Sequence, residues 1–200
     1  LSKHIFMAAI ATAWFGAQAG ATPVTALGDF TPTAPVVTFE DVADGTTGPL
    51  TFGPLTVSSS PNQTVGTRGY TQYAGIYEGK SYGFGVVTFY LDFAVDMAAV
   101  GLGLFDPNYA NTRVMAYDRS GTLIETVYPD KGPTGGVFST YTGVMRAEGD
   151  IARLVVTPQA GDLLAIDNIG WATAAPAVPL PSAALLLLGG FGALGALRRR

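Results

Sequence analysis

The chain has 200 residues, 48 % of them hydrophobic and 13 % charged, with a formal net charge of −4, 26 glycines, 13 prolines, one histidine and no cysteine. That length accommodates one ordinary domain with appendages. The lack of cysteine excludes a disulfide scaffold, a thiolate zinc site, an iron–sulfur cluster and a cysteine nucleophile. The lone histidine, His4, leaves the body of the chain without an imidazole for Ser-His-Asp chemistry or metal ligation.

Residues 1–22 read as a secretory signal peptide. Lys3 and His4 form a short polar n-region, and Ile5 to Phe15 is an apolar stretch too short to span a bilayer. Ala17-Gln18-Ala19 is a small-x-small cleavage site, so Ala17 and Ala19 are the expected signal-cleavage residues. The expected partners at this end are the Sec machinery and signal peptidase. Residues 23–35 follow as a mature N-terminal linker.

Residues 36–172 read as an all-β ectodomain. Val36 to Glu40 is β-branched and aromatic, and Leu50 to Phe52 and Leu55 to Val57 are short segments separated by Gly53-Pro54. Phe84 to Phe93 is rich in β formers and reads as one long strand. Ala98 to Phe105 alternates small and large residues. Thr112 to Tyr117 and Thr122 to Tyr128 flank Asp118-Arg119-Ser120-Gly121, the best hairpin turn in the chain. Val137 to Tyr141, Ile151 to Val156 and Leu163 to Trp171 complete a set of about ten strands. Residues 24–35 and 58–69 read as loops, and no amphipathic helix interrupts the pattern. The fold class this implies is an antiparallel two-sheet sandwich of the jelly-roll type. Its expected core comprises Phe39, Phe52, Val86, Phe89, Leu91, Leu102, Leu104, Val114, Met115, Ile124, Val127, Leu154, Val156, Ile166 and Ile169.

All 15 acidic residues lie between the two terminal segments, against seven basic ones: Arg68, Lys80, Arg113, Arg119, Lys131, Arg146 and Arg153. A surface with that balance repels phosphate, which argues against nucleic-acid binding.

Residues 173–181 form a small-residue and proline linker that contains Val178-Pro179-Leu180-Pro181. Ser182 to Leu197 is uncharged and apolar, and reads as a transmembrane helix of roughly 24 Å at 1.5 Å per residue. That is short for a ~30 Å hydrocarbon core, and snorkelling arginines and local thinning cover the difference. Arg198, Arg199 and Arg200 form the membrane stop and are expected to stay cytoplasmic.

The proline motif, the hydrophobic run and the arginine cluster together resemble a PEP-CTERM sorting domain of the VPLPA-like variant. In this chain Ser182 takes the place of the motif's alanine, and the usual glutamate is missing. The resemblance covers Val178 to Arg200. It implies an exosortase-type transpeptidase as partner. It also implies an exported, inner-membrane-anchored precursor of a Gram-negative bacterium that reaches the cell surface or the extracellular space after C-terminal processing.

The ectodomain resembles galactose-binding-like and carbohydrate-binding jelly rolls. The points of likeness are Thr38-Phe39-Glu40-Asp41, the Asp118-Arg119-Ser120-Gly121 hairpin and Ile166-Asp167-Asn168-Ile169. The resemblance implies adjacent first and last strands, with acidic residues near them holding a structural Ca²⁺. Glu40, Asp41 and Asp44 supply carboxylates within five residues, and Asp167 and Asn168 add two more side chains if the terminal strands meet. Tyr70, Tyr73, Tyr77 and Tyr82 lie among small and polar residues and read as aromatic platforms for sugar rings.

No catalytic residue is expected. The function these readings favour is a carbohydrate- or matrix-binding surface domain associated with exopolysaccharide. The alternatives are a secreted polysaccharide hydrolase or lyase using a carboxylate pair drawn from Glu78, Glu125, Asp92 and Asp96, and a purely structural or adhesive domain.

Overall fold

The computed structural model describes residues 22–26, 29, 35–67, 75–133 and 138–173. The signal peptide, the cleavage residues, the sorting motif, the hydrophobic run 182–197 and the arginine cluster lie outside the described residues. Among those described there is no α-helix, and no helix long and apolar enough to cross a membrane.

The described residues form thirteen strands: β1 (Thr22–Val24), β2 (Val36–Val37), β3 (Leu50–Phe52), β4 (Leu55–Ser60), β5 (Val65–Thr67), β6 (Lys80–Gly85), β7 (Thr88–Met97), β8 (Ala99–Phe105), β9 (Arg113–Tyr117), β10 (Leu123–Val127), β11 (Ser139–Met145), β12 (Ile151–Thr157) and β13 (Leu164–Ala172). They form two antiparallel sheets. The larger runs β1-β11-β8-β13-β6-β5, with β2 also paired to β13, and the smaller runs β10-β9-β12-β7-β4-β3. The expected all-β, two-sheet antiparallel architecture is therefore present. The first and last strands of the segment 36–172 meet, since Val37 on β2 pairs with Ile169 on β13.

Side chains alternate along these strands because successive Cβ atoms leave opposite faces. On β7, Phe89, Leu91 and Phe93 point inward and are buried, whereas Tyr90 and Asp92 are half-exposed. The inward residues of both sheets meet in one core. Phe39 lies edge-on to Phe52 at 5.6 Å and stacked on Tyr82 at 6.0 Å, and Phe93 lies 6.0 Å from Trp171. Val100, Leu102, Leu104, Val114, Leu154, Val156 and Ile166 fill the space between. Each such side chain contributes about 1.5–3 kcal/mol by leaving water.

Several expectations need correcting. The strand expected over Phe84 to Phe93 is two strands, β6 in the larger sheet and β7 in the smaller, because the chain turns from one sheet to the other at Val86 and Val87. Val86 sits on that turn, half-exposed rather than in the core. The strand expected over Val36 to Glu40 stops at Val37, since Phe39 adopts φ +59°, a left-handed conformation that no strand accommodates. Residues 58–69 are not all loop, because β4 runs to Ser60 and β5 covers Val65–Thr67. Thr22–Val24, at the junction of the expected signal and linker, is an edge strand paired with Met145, Val144 and Gly143. Phe52, Ile124 and Val127 are partly buried and pack against the core as expected, whereas Met115 is partly buried on the outer side of its strand.

The two sheets differ in exposure. On β8 and β11 every residue is buried, so the larger sheet is covered on both faces. Its outer face carries Ala99, Tyr141 and Met145, which pack with Val24 and Ile76, and Phe105, whose ring lies 4.6 Å from that of Tyr77. The segment around Ile76 and Tyr77 is thus a strap across the sheet. At Gly101-Leu102-Gly103 another stretch of backbone approaches closely: the Ile76 backbone lies directly over Gly103. One row of this sheet joins Thr22, Met145, Ala99 and Ala172, so β1 starts and β13 finishes at the same pole.

A buried polar cluster ties the β8–β9 connection to the turn before β13. Asp162 is fully buried and accepts hydrogen bonds from the Asn108 backbone N–H at 3.0 Å and from the Thr112 hydroxyl. The predicted hairpin joins β9 to β10, closed by the Asp118 N–H donating to the Thr122 carbonyl at 3.0 Å, with Gly121 at φ +84°.

Candidate functional site

The solvent-facing side of the smaller sheet carries an open cleft. Register sets its layout. Tyr117 on β9 lies opposite Arg153 on β12, Arg153 opposite Asp92 on β7, and Asp92 opposite Thr56 on β4. Two residues along each strand, a second row runs Met115, Val155, Tyr90 and Ser58. All of these share one face, because residues two apart on a strand point the same way.

The cleft has a volume of about 550 Å³. Its floor is Tyr90, Asp92, Tyr117, Arg153 and Val155, and the β9–β10 hairpin, Asp118 to Gly121, walls one side. The Arg153 guanidinium donates through Nε to Asp92 Oδ1. Arg119 donates to Asp96 Oδ1 through Nε at 2.9 Å and Nη2 at 2.7 Å, and to the Phe93 carbonyl at 3.3 Å. The Tyr117 hydroxyl donates to Met115 Sδ at 3.6 Å. Asp118 Oδ1 accepts from the Ser120 hydroxyl at 2.6 Å and from the Ser120 and Thr122 backbone N–H groups at 2.9 Å each. Those bonds, the Ser120 hydroxyl first, hold the Asp118 carboxyl below the usual carboxylate range and keep it ionised. The site offers flat aromatic surface, fixed donors and fixed acceptors side by side.

Sequence reasoning missed this face as a unit. Its signal was the alternation Phe89-Tyr90-Leu91-Asp92-Phe93, which exposes Tyr90 and Asp92 once Phe89 and Leu91 are placed inside. Pairing with Tyr117 and Arg153 needed the strand register.

Of the tyrosines read as platforms, Tyr77 and Tyr82 lie elsewhere. Tyr77 and Tyr82 are both fully buried, Tyr77 against Phe105 and Tyr82 in the main core. The Tyr82 hydroxyl is 3.0 Å from that of Ser59. This is a correction: packing has drawn both rings inside, where no glycan reaches them. Tyr70 and Tyr73 lie outside the described residues.

The residues expected to hold Ca²⁺ are divided. Lys80 occupies the Glu40–Asp44 turn, with Nζ donating to the carbonyls of Glu40 at 3.1 Å and Val42 at 2.7 Å and pairing with Asp44 at 3.3 Å. Glu40 Oε1 accepts the Lys80 backbone N–H at 2.6 Å, and Asp41 faces solvent. Asp167 and Asn168 are buried on β13. Asp167 Oδ2 accepts the Glu78 N–H at 2.9 Å, while its Oδ1 and the Asn168 amide nitrogen have no hydrogen-bond partner. Among the described residues no group of three or more His, Cys, Asp or Glu converges to hold a metal ion. One orphaned carboxylate oxygen does not supply the six to eight oxygens a Ca²⁺ ion needs, and the Lys80 ammonium stands where the turn's acids would have turned inward. The five residues as placed do not fit the ion. Burial instead pushes the Asp167 carboxyl up to about 8, aided by the charges of Glu40 and Glu78 and opposed by the backbone N–H groups of Glu78 and Asn168.

The four carboxylates considered for catalysis are scattered as well. Asp92 and Asp96 are committed to Arg153 and Arg119, Glu78 lies beside Asp167, and Glu125 lies on β10 near Pro23.

No family model matches the chain, and no curated protein matches it. Among solved structures it is similar to the K2 cleaved adhesin domain of Lys-gingipain, at 12 % identity over 71 % of this chain and 99 % of that one, with a TM-score of 0.47. It is similar to the xylan-binding domain from CBM 22 at 14 % identity, over 74 % of this chain and 100 % of that one, with a TM-score of 0.40. It is also similar to the K1 cleaved adhesin domain of Lys-gingipain from Porphyromonas gingivalis W83, at 12 % identity over 76 % of this chain and 96 % of that one, with a TM-score of 0.27.

Proposed function

We propose that this chain is an exported surface protein whose β-sandwich binds carbohydrate of the extracellular matrix through the open face of its smaller sheet. The observation that carries this reading is the cleft in which Tyr90 and Tyr117 flank the Arg153–Asp92 pair. Aromatic faces cover the apolar faces of sugar rings, and an adjacent guanidinium and carboxylate donate to and accept from their hydroxyls. Binding rather than turnover is the activity proposed, because Asp92 and Asp96 each hold a guanidinium. A glycosidase pair needs one carboxyl free to carry a proton to the leaving group.

Export and sorting belong to the same proposal and rest on the amino-acid pattern. Residues 1–22 direct the chain to the Sec machinery and signal peptidase. Val178-Pro179-Leu180-Pro181, the apolar run 182–197 and Arg198 to Arg200 present it to the membrane and to an exosortase-type transpeptidase. Intact mass and fractionation of the protein from its host test this part. A mature species starting near Gly20 and ending near Pro181, lost from the membrane fraction, is the expected result. A membrane-bound species that retains Arg200 refutes sorting.

Co-sedimentation with the host's own extracellular polysaccharide tests the binding part. The wild-type chain is expected in the pellet, and the Tyr90→Ala/Tyr117→Ala double variant in the supernatant. Equal sedimentation of the two rules out this face.

A further inference from the structure

Resting on the carbohydrate-binding reading above, we infer that the cleft takes an extended, uncharged polysaccharide chain of at least two sugar rings and rejects anionic ones. The aromatic spacing gives the length. Tyr117 and Tyr90 stand two strands apart and two residues out of step, with Arg153 and Val155 on the strand between them and Asp92 next to Tyr90 on its own strand. At strand spacings near 4.8 Å and rises near 3.4 Å their Cα atoms are roughly 12 Å apart. A single ring does not reach both platforms. A chain that crosses the strands obliquely does, and it passes over the Arg153–Asp92 pair on the way.

The charge arrangement gives the class. Two guanidinium groups line or border the cleft, and each is already matched: Arg153 by Asp92, and Arg119 by Asp96. The third carboxylate, Asp118, has no cation; hydroxyl and backbone donors hold it ionised. The lining itself balances, Asp92 and Asp118 against Arg119 and Arg153, and Asp96, paired to Arg119 just outside it, leaves the cluster with one negative charge in excess on an acidic domain. A uronate or sulfate entering it meets Asp118 directly, and the guanidinium charge it would pair with is already offset by Asp92 or Asp96. Neutral hydroxyls face no such cost. The guanidinium N–H groups that Asp92 does not use remain donors, and the Thr56 and Ser58 hydroxyls lie in the same two rows on β4.

Affinity gel electrophoresis of the full chain in mild detergent tests the inference. The embedded neutral polymers are dextran, galactomannan and a mixed-linkage β-glucan; the anionic ones are alginate, polygalacturonate and heparin. The expected result is retardation by at least one neutral polymer and by no anionic one, unchanged when NaCl is raised to roughly 0.5 M. Tyr90→Ala/Tyr117→Ala should weaken it by about tenfold or more. Asp92→Asn, which releases Arg153, should gain retardation by an anionic polymer. Tyrosine-dependent retardation by anionic polymers in the wild type overturns the inference and leaves the carbohydrate-binding face intact. Retardation indifferent to the double variant, or none in any gel, overturns both.

Discussion

The carbonyl oxygen of Ile76 lies 1.6 Å from the point where a Cβ on Gly103 would stand. No side chain fits between the strap and β8, so the covering of the larger sheet depends on this one missing methyl. Gly103→Ala must lift the strap or bend β8, and the Tyr77–Phe105 contact lies next to it. We expect a loss of roughly 2–4 kcal/mol. A urea melt reads it, with early hydrogen exchange of the amides at 75–79. An unchanged midpoint would falsify the close approach.

Tyr77 and Tyr90 should separate stability from binding. Tyr77 is fully buried against Phe105, so Tyr77→Ala leaves a cavity and should cost about 3–5 kcal/mol. The fraction that stays folded should still sediment with polysaccharide. Tyr90→Ala, on the open face, should shift the melt by about 0.5 kcal/mol or less and lose sedimentation. The reverse pattern would return the binding role to the tyrosine-rich segment.

Asp167 predicts a pH dependence. Its carboxyl titrates near 8 in the folded protein and near 4 in the unfolded chain. Between those values the folded state holds one more proton than the unfolded state, so stability falls as pH rises, by up to about 1.4 kcal/mol per unit. The loss is complete above about pH 8. Asp167→Asn keeps an oxygen for the Glu78 N–H and removes the titration. Its melting temperature should fall less than the wild type's across this range and exceed it at the alkaline end. Parallel profiles would show that Asp167 is ionised in the fold.

Asp162→Ala should destabilise by roughly 2–4 kcal/mol, because it strands two buried donors, the Asn108 N–H and the Thr112 hydroxyl. Thr112→Val removes the hydroxyl's bonds to Asp162 and from the part-buried Gln159 N–H but keeps the Asn108 N–H bonded to Asp162, and should cost less. Guanidinium denaturation of both variants orders them. Equal cost would mean that Asp162 matters only through Thr112.

Local chemistry was legible in the amino-acid pattern, and long-range placement was not. The β9–β10 hairpin could be read because Asp118 and Gly121 are turn residues in their own right. The passage between sheets at Val86-Val87 could not, since two β-branched residues carry no turn signal and Phe84 to Phe93 looks continuous. The tyrosines of 70–82 show the same limit. A run of glycine and tyrosine serves equally as an exposed loop or as a strap. The choice is made by Gly103 and Phe105, more than 20 residues away. The cleft stands between these cases: the inward and outward positions of β7 were readable, but the neighbours of Asp92 were set by register across three strands.

The row that joins Thr22 to Ala172 determines how the domain answers to force. The first residue of β1 and the last of β13 stand at one pole, three strands apart. Tension applied between them acts across the strands rather than along them. It opens the β1–β11 and β13–β8 ladders one hydrogen bond at a time, as a zip, where opposite poles would have loaded every bond in shear together. A surface domain pulled by these two residues is mechanically soft however stable it is in solution, and it peels from its edge before its core is strained.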